Sequence, residues 1–69
     1  TQYMETLRVY LEQHLSATQA ARELFIHRST FLYRLDRIKE ILQSELDDPE
    51  EIFYLELSFR LLEQEQEKE

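Results

Sequence analysis

This chain of 69 residues has no cysteine and no glycine, and only one proline. Without cysteine, neither a disulfide nor a thiolate zinc site is available. Without glycine there is no Gly-rich loop to cradle a phosphate, and the two histidines, His14 and His27, are isolated, with no close carboxylate pair to work beside. No catalytic or metal-ligating set and no cofactor is therefore expected, and an enzyme is the reading with least support. No apolar run approaches the roughly 20 residues that a bilayer span requires, and no signal peptide is visible. The default expectation is a cytoplasmic location without membrane association. So few helix breakers, among 42% apolar residues and long charged stretches at helical spacing, point to an all-α bundle rather than a sheet.

Basic residues are scarce as well. Eight Lys and Arg face fifteen Asp and Glu, a formal net charge of -7, the reverse of the usual balance in a nucleic-acid binder. Their distribution is uneven. Residues 1–21 hold Arg8 against Glu5 and Glu12, net -1. Residues 22–39 hold Arg22, Arg28, Arg34, Arg37 and Lys39 against Glu23 and Asp36, net +3. Residues 40–69 hold eleven acids against Arg60 and Lys68, net -9. The length makes one domain, residues 1–69, and a chain this short buries only about 60% of its unfolded surface, so marginal stability is expected unless it pairs. It opens at Thr1 and its first methionine is Met4, which suggests a piece cut from a longer protein.

The positive segment coincides with the clearest helix punctuation in the chain. Ser16 and Gln19 form a Ser-x-x-Gln capping box that opens a helix over about Ala17–Leu24, with the small pair Ala20-Ala21 along it. Phe25-Ile26 is the expected turn. His27 is placed to cap a further helix, about Arg28–Leu42, whose apolar stripe is Phe31, Leu35, Ile38 and Leu42. Two helices separated by only about three or four residues, crossing closely over Ala21, predict a helix-turn-helix. The outward positions of its second helix are then Arg28, Ser29, Thr30, Tyr33, Arg34 and Arg37. That is a set of hydrogen-bond donors with almost no acid among them. A recognition helix needs such a set at its N-terminal end, where side chains enter the major groove while neighbouring cations meet phosphate.

The string LFIHRSTFLYRLDRIKEIL resembles the C-terminal helix-turn-helix domain of PucR/CdaR-type bacterial transcription regulators, whose pattern is roughly L-x-I-H-R-x-T-L-x-Y-R-L-x-R-I. Its core is also similar to the DNA-binding end of the Fis protein. The match is dense from Ala20 to Leu42. The resemblance implies a domain from the C-terminal end of a longer regulator, with effector-sensing portions upstream. It also implies a glycine near the end of the third helix, where this chain has Gln43-Ser44; that end is open between Leu42 and about a turn beyond it.

Several residues keep two readings at this stage. Arg28, a planar fork at the helix start, is the best candidate for bidentate contact to guanine or for a phosphate clamp. Ser29 and Thr30 can bond bases or phosphate, and Thr30 can instead tighten the first helical turn. Tyr33 either stacks on or donates to DNA, or is an ordinary exposed tyrosine. Leu32 packs on the first helix of the chain or meets a thymine methyl. Arg22 touches phosphate or is merely solvated, Arg37 meets phosphate or pairs with Asp36 and Glu40, and His27 is a DNA contact or a purely structural cap. Ser16 and Thr18 read as capping or first-turn residues.

On either side of this motif lie two more helices. Tyr3, Leu7, Tyr10, Leu11 and His14 recur at helical spacing over about residues 1–15, with both tyrosines expected at the core edge and His14 facing the negative end of the helix dipole. Asp48-Pro49-Glu50-Glu51 is a helix start in which Asp48 caps, Pro49 takes the first position and Glu51 completes an Asp-x-x-Glu box. Beyond it Ile52, Leu55, Phe59 and Leu62 make one apolar face, and Phe53, Leu57 and Leu61 a second. That second face is expected either to pair with another copy, as a dimer interface, or to be absorbed in a compact four-helix core. Leu46 should fold back as an anchor, and the tail Glu63–Glu69 should fray.

Two functions follow. The first is a sequence-specific binder of double-stranded DNA, acting as a homodimer that places one recognition helix per protomer in successive major grooves of a pseudo-palindromic site, with weak binding by the isolated acidic fragment. The alternative is a helical oligomerisation or protein-interaction module working through the apolar last helix.

Overall fold

A computed structural model of the chain describes residues 2–67, the side chain of residue 67 excepted. It contains four helices and, among the described residues, no strand: α1 Gln2–Glu12, α2 Ala17–Glu23, α3 Arg28–Leu42 and α4 Pro49–Glu67. The all-α four-helix expectation holds. α1 packs against each of the other three helices and α2 against α3, while α4 touches α1 alone.

The core forms where α1, α2 and α3 cross. Phe31 is fully enclosed there, with Leu35 and Ile38 of α3, Leu7, Val9 and Leu11 of α1, and Ala20 and Ala21 of α2. Two adjacent methyl side chains on α2 let its backbone approach α3 closely, as a helix-turn-helix crossing demands. Tyr10 sits at the core edge, its ring tilted by 44° against Phe31 at 5.8 Å between centroids. Thr6 is the one buried polar side chain among the described residues, and its Oγ1 donates to the Gln2 carbonyl at 2.8 Å. The hydroxyl is thus satisfied within its own helix and leaves no unpaired group in the core. Leu46, in the connection after α3, is buried as an anchor.

The chain has to make its turns without glycine, and five ordinary residues occupy the left-handed region: His14, Leu15, Phe25, Gln43 and Leu46. These positions settle where two helices end. α1 ends at Glu12 rather than Leu15, because His14 and Leu15 (φ 56° and 65°) break the helix so that the Leu15 N–H can reach back to the Tyr10 carbonyl and Ser16 can start α2. His14 is accordingly exposed in the turn, not on the apolar stripe. α3 does not run past Leu42, since Gln43 takes the left-handed slot (φ 52°, ψ 48°) and the Ser44 N–H closes on the Lys39 carbonyl at 3.1 Å. Leu42, expected in the core, is 40% exposed; it lies one turn past Ile38, where α4 leans on α1 and leaves α3 uncovered.

At the start of α4, Asp48 accepts from the Glu50 N–H at 3.4 Å, as expected of a cap before Pro49. Glu51 does not close the capping box, because its carboxylate accepts instead from the Ser44 hydroxyl. That bond ties the α3–α4 connection to α4. α4 runs antiparallel to α1: Phe53 and Leu57 share an open groove of about 760 Å³ with Leu11 and His14, and Leu62 and Gln66 line a second with Met4. Ile52, Leu55 and Phe59 face the core and are half-buried. No described residue of α4 is fully buried, so its second face is not absorbed in a four-helix core: Phe53, Tyr54, Leu57 and Leu61 stand exposed, as does Leu62. Of the charged tail, Glu63–Glu67 is helical, whereas Lys68 and Glu69, like Thr1 at the other end, lie outside the described residues.

Candidate nucleic-acid interface

α2 begins where the Ser16 hydroxyl accepts from the Gln19 N–H at 3.2 Å; the Gln19 side chain makes no return bond, so the capping box is half formed. α2 then ends in a turn that Phe25 makes in the left-handed region (φ 58°), with the Ile26 N–H donating to the Ala21 carbonyl at 3.1 Å. Leu24 and Ile26 pack against the core on either side of this turn. They fix the angle at which α3 departs. His27 occupies the N-cap (φ -64°, ψ 146°), but its imidazole makes no capping bond and is exposed; the cap is the backbone alone, its carbonyl accepting from the Phe31 N–H at 3.0 Å.

With Phe31, Leu35 and Ile38 turned inward, helical geometry places Ser29, Tyr33 and Arg37 in one outward row, flanked by Thr30 and Arg34 on one side and Arg28 on the other. The structure therefore brings the expected set together with one correction: Arg34, expected outward, is half-buried because its side chain turns toward α1. Arg28, Ser29, Thr30 and Arg37 are exposed, and Tyr33 is 63% exposed with no ring partner among the described residues. Thr30 does not spend its hydroxyl on the first turn; neither it nor Ser29 makes a side-chain hydrogen bond among the described residues. Leu32 is half-buried. The acids of α3, Asp36 and Glu40, come on the outward side only after the second turn, so the first two turns present no carboxylate.

The cations differ in how they are held. Arg28 Nε donates to Thr18 Oγ1 across the motif at 3.2 Å. Arg34 is half-buried against α1, where the Gln2 amide, turned so that its oxygen faces the cation, accepts from Nε at 3.3 Å and Nη2 at 2.5 Å. Arg37 lies 3.8 Å from Glu40 in an exposed pair, of the kind worth about 0–1 kcal/mol and readily exchanged for another anion. Arg22, exposed on α2, has no ion pair among the described residues.

A family model for the PucR C-terminal helix-turn-helix domain matches residues 3–61. The chain belongs to this family. Its relatives in Bacillus subtilis (strain 168) include the purine catabolism regulatory protein, 41% identical over 58 residues, which cover 84% of this chain and 11% of that protein. Another is the proline-responsive transcriptional activator PutR, 38% identical over 48 residues, or 70% of this chain and 12% of the relative. The chain thus spans about a ninth of the length of these curated relatives. No solved structure matches it.

Sequence reasoning about this PucR-type domain missed the residues that brace its arginines. Thr18 read as a first-turn residue, and Gln2 was not singled out; ten and thirty-two positions separate them from Arg28 and Arg34. No local signal announces such pairs. Phe25, read only as part of the turn, is 95% exposed. The absence of glycine was the available signal that a bulky residue would have to take that place.

Proposed function

We propose that this domain binds double-stranded DNA sequence-specifically, with α3 in the major groove, as part of a bacterial transcription regulator acting in the cytoplasm. One observation carries the reading: the first two turns of α3 form an exposed surface of donors without a carboxylate, on a helix fixed by the turn before it. Arg28, Ser29, Thr30 and Tyr33 read bases, with His27 beside them at the entry of the helix. Arg22, Arg34 and Arg37 neutralise phosphate and set the register.

The regulator works as a homodimer, with one α3 per half-site, and Phe53, Leu57 and Leu61 of α4 form the contact between copies. These three lie at i, i+4, i+8 along α4 and are exposed in the single chain, Phe53 and Leu57 also lining the open groove shared with α1. Upstream domains of the full-length protein sense an effector and change operator affinity, a reading supported by relatives named for purine catabolism and for a response to proline.

The same exposed stripe favours a second reading, in which α4 serves protein association alone and α3 is idle. Salt separates the two. DNA binding through about six phosphate contacts should weaken with a log–log slope of about -5, whereas apolar pairing of acidic copies should tighten as repulsion is screened. The decisive test is a genome-wide footprint of the full-length protein beside its Arg28→Ala variant. Loss of most specific sites, with fold and association state unchanged, is expected. Full occupancy by the variant would remove Arg28 from the reading, and no footprint from either protein would leave the association module.

A further inference from the structure

In a protein with nearly twice as many acids as bases, the ordinary way to fix an arginine is a carboxylate, and Arg8 is held like that, 2.8 Å from Glu12 and 3.9 Å from Glu5. Arg28 is held differently. It makes no ion pair among the described residues, and its one fixed contact is the neutral hydroxyl of Thr18, which accepts from Nε at 3.2 Å. Among the described residues this is also the only side-chain hydrogen bond that joins α2 to α3. A hydroxyl restrains the planar group without cancelling its charge, so the full positive charge remains for a ligand.

The choice of nitrogen matters. A guanidinium can present two N–H groups to a bidentate acceptor side-on, through Nε and one Nη, or end-on, through both Nη. With Nε committed to Thr18, the end-on pair is what remains. We propose that Thr18 is a positioning residue: it holds Arg28 so that Nη1 and Nη2 together meet the O6 and N7 acceptors of one guanine in the major groove. The inference rests on the DNA-binding reading of α3. It adds to that reading a second residue, on the other helix of the motif, which controls base choice without touching the base.

The test uses the full-length protein and a duplex carrying its strongest footprinted site. In a matching duplex, the G·C pair most sensitive to Arg28→Ala is replaced by A·T. The readout is the ratio of the two affinities, which a loss of general stability or of phosphate contact does not move. Thr18→Val should cut this ratio about tenfold, close to the loss from Arg28→Ala. Thr18→Ser, which keeps the acceptor, should stay within about threefold of the natural protein. The double variant Thr18→Val/Arg28→Ala should be no worse than Arg28→Ala, because Thr18 acts through Arg28. Additive losses would overturn the proposal, as would equal weakening on both duplexes or an unchanged ratio in Thr18→Val. If Arg28→Ala itself leaves the ratio unchanged at every G·C pair, the DNA-reading role of Arg28 has failed and the positioning role goes with it.

Discussion

Between Ala20 and Ile38 the chain buries five apolar side chains and sets Arg22, Arg28 and Arg37 at the surface; α4, the longest helix, fully buries none of its described residues and exposes Phe53, Tyr54, Leu57 and Leu61. The two regions also differ in charge, with net +3 over residues 22–39 and net -9 over residues 40–69. In the first, apolar side chains are spent on fixing a helix and polar ones are left to meet a ligand. In the second, the apolar side chains are themselves what is left. A domain with an acidic net charge can thus gather its cations in one segment, with eleven of its fifteen acids placed after residue 39.

The contrast is broken most forcefully from inside. Phe31→Ala should cost about 3–5 kcal/mol, because it empties the centre of the crossing. That is most of what a small domain has to lose, and a thermal melt should show loss of the cooperative transition. Phe53→Ala, an equally large truncation on α4, should change stability by less than about 0.5 kcal/mol. A large loss there would mean that α4 belongs to the core after all.

Next in size, Arg28→Ala should weaken binding to a specific site by about 1–3 kcal/mol in a fluorescence-anisotropy titration while leaving the melt where it was. Equal losses on specific and random duplex would assign this arginine to phosphate instead. On the other region, the triple change Phe53→Ser/Leu57→Ser/Leu61→Ser should abolish self-association of the full-length protein in sedimentation. The melt of this domain should shift little, since none of the three faces the core. Unchanged dimerisation of the triple variant would show that a different surface carries the pairing.

The smallest effect sharpens the comparison at the boundary between the two regions. Gln43 ends α3 in a left-handed conformation that glycine adopts without steric cost. Gln43→Gly should therefore stabilise the domain by about 0.5–1 kcal/mol, read as a rise in melting temperature. A fall would mean that the Gln43 side chain contributes more than the backbone strain removes.

What could be read from the chain before its coordinates were known follows the same division. Periodicity gave α3 its bounds and three of its four core positions, because Phe31, Leu35 and Ile38 lie where neighbours cover them on the inner side. Leu42 obeys the same period and is exposed, since period says which side a residue is on and not whether anything lies opposite. Val9 and Thr6 were missed on α1 for the converse reason: this helix touches all three of the others, so its buried surface is wider than one stripe. The outward residues of α3 were legible from spacing and chemistry. Their supports, Thr18 and Gln2, were not, as each depends on how separate helices come to rest against one another.

The position of Leu46 bears on what α4 contributes to the fold. Every described residue that the folded protein fully buries lies at or before it, so α4 adds to the interior only the half-covered Ile52, Leu55 and Phe59, laid over the core from outside. The last helix is in that sense a roof resting on α1, and a chain cut after the anchor would bare what it shelters there.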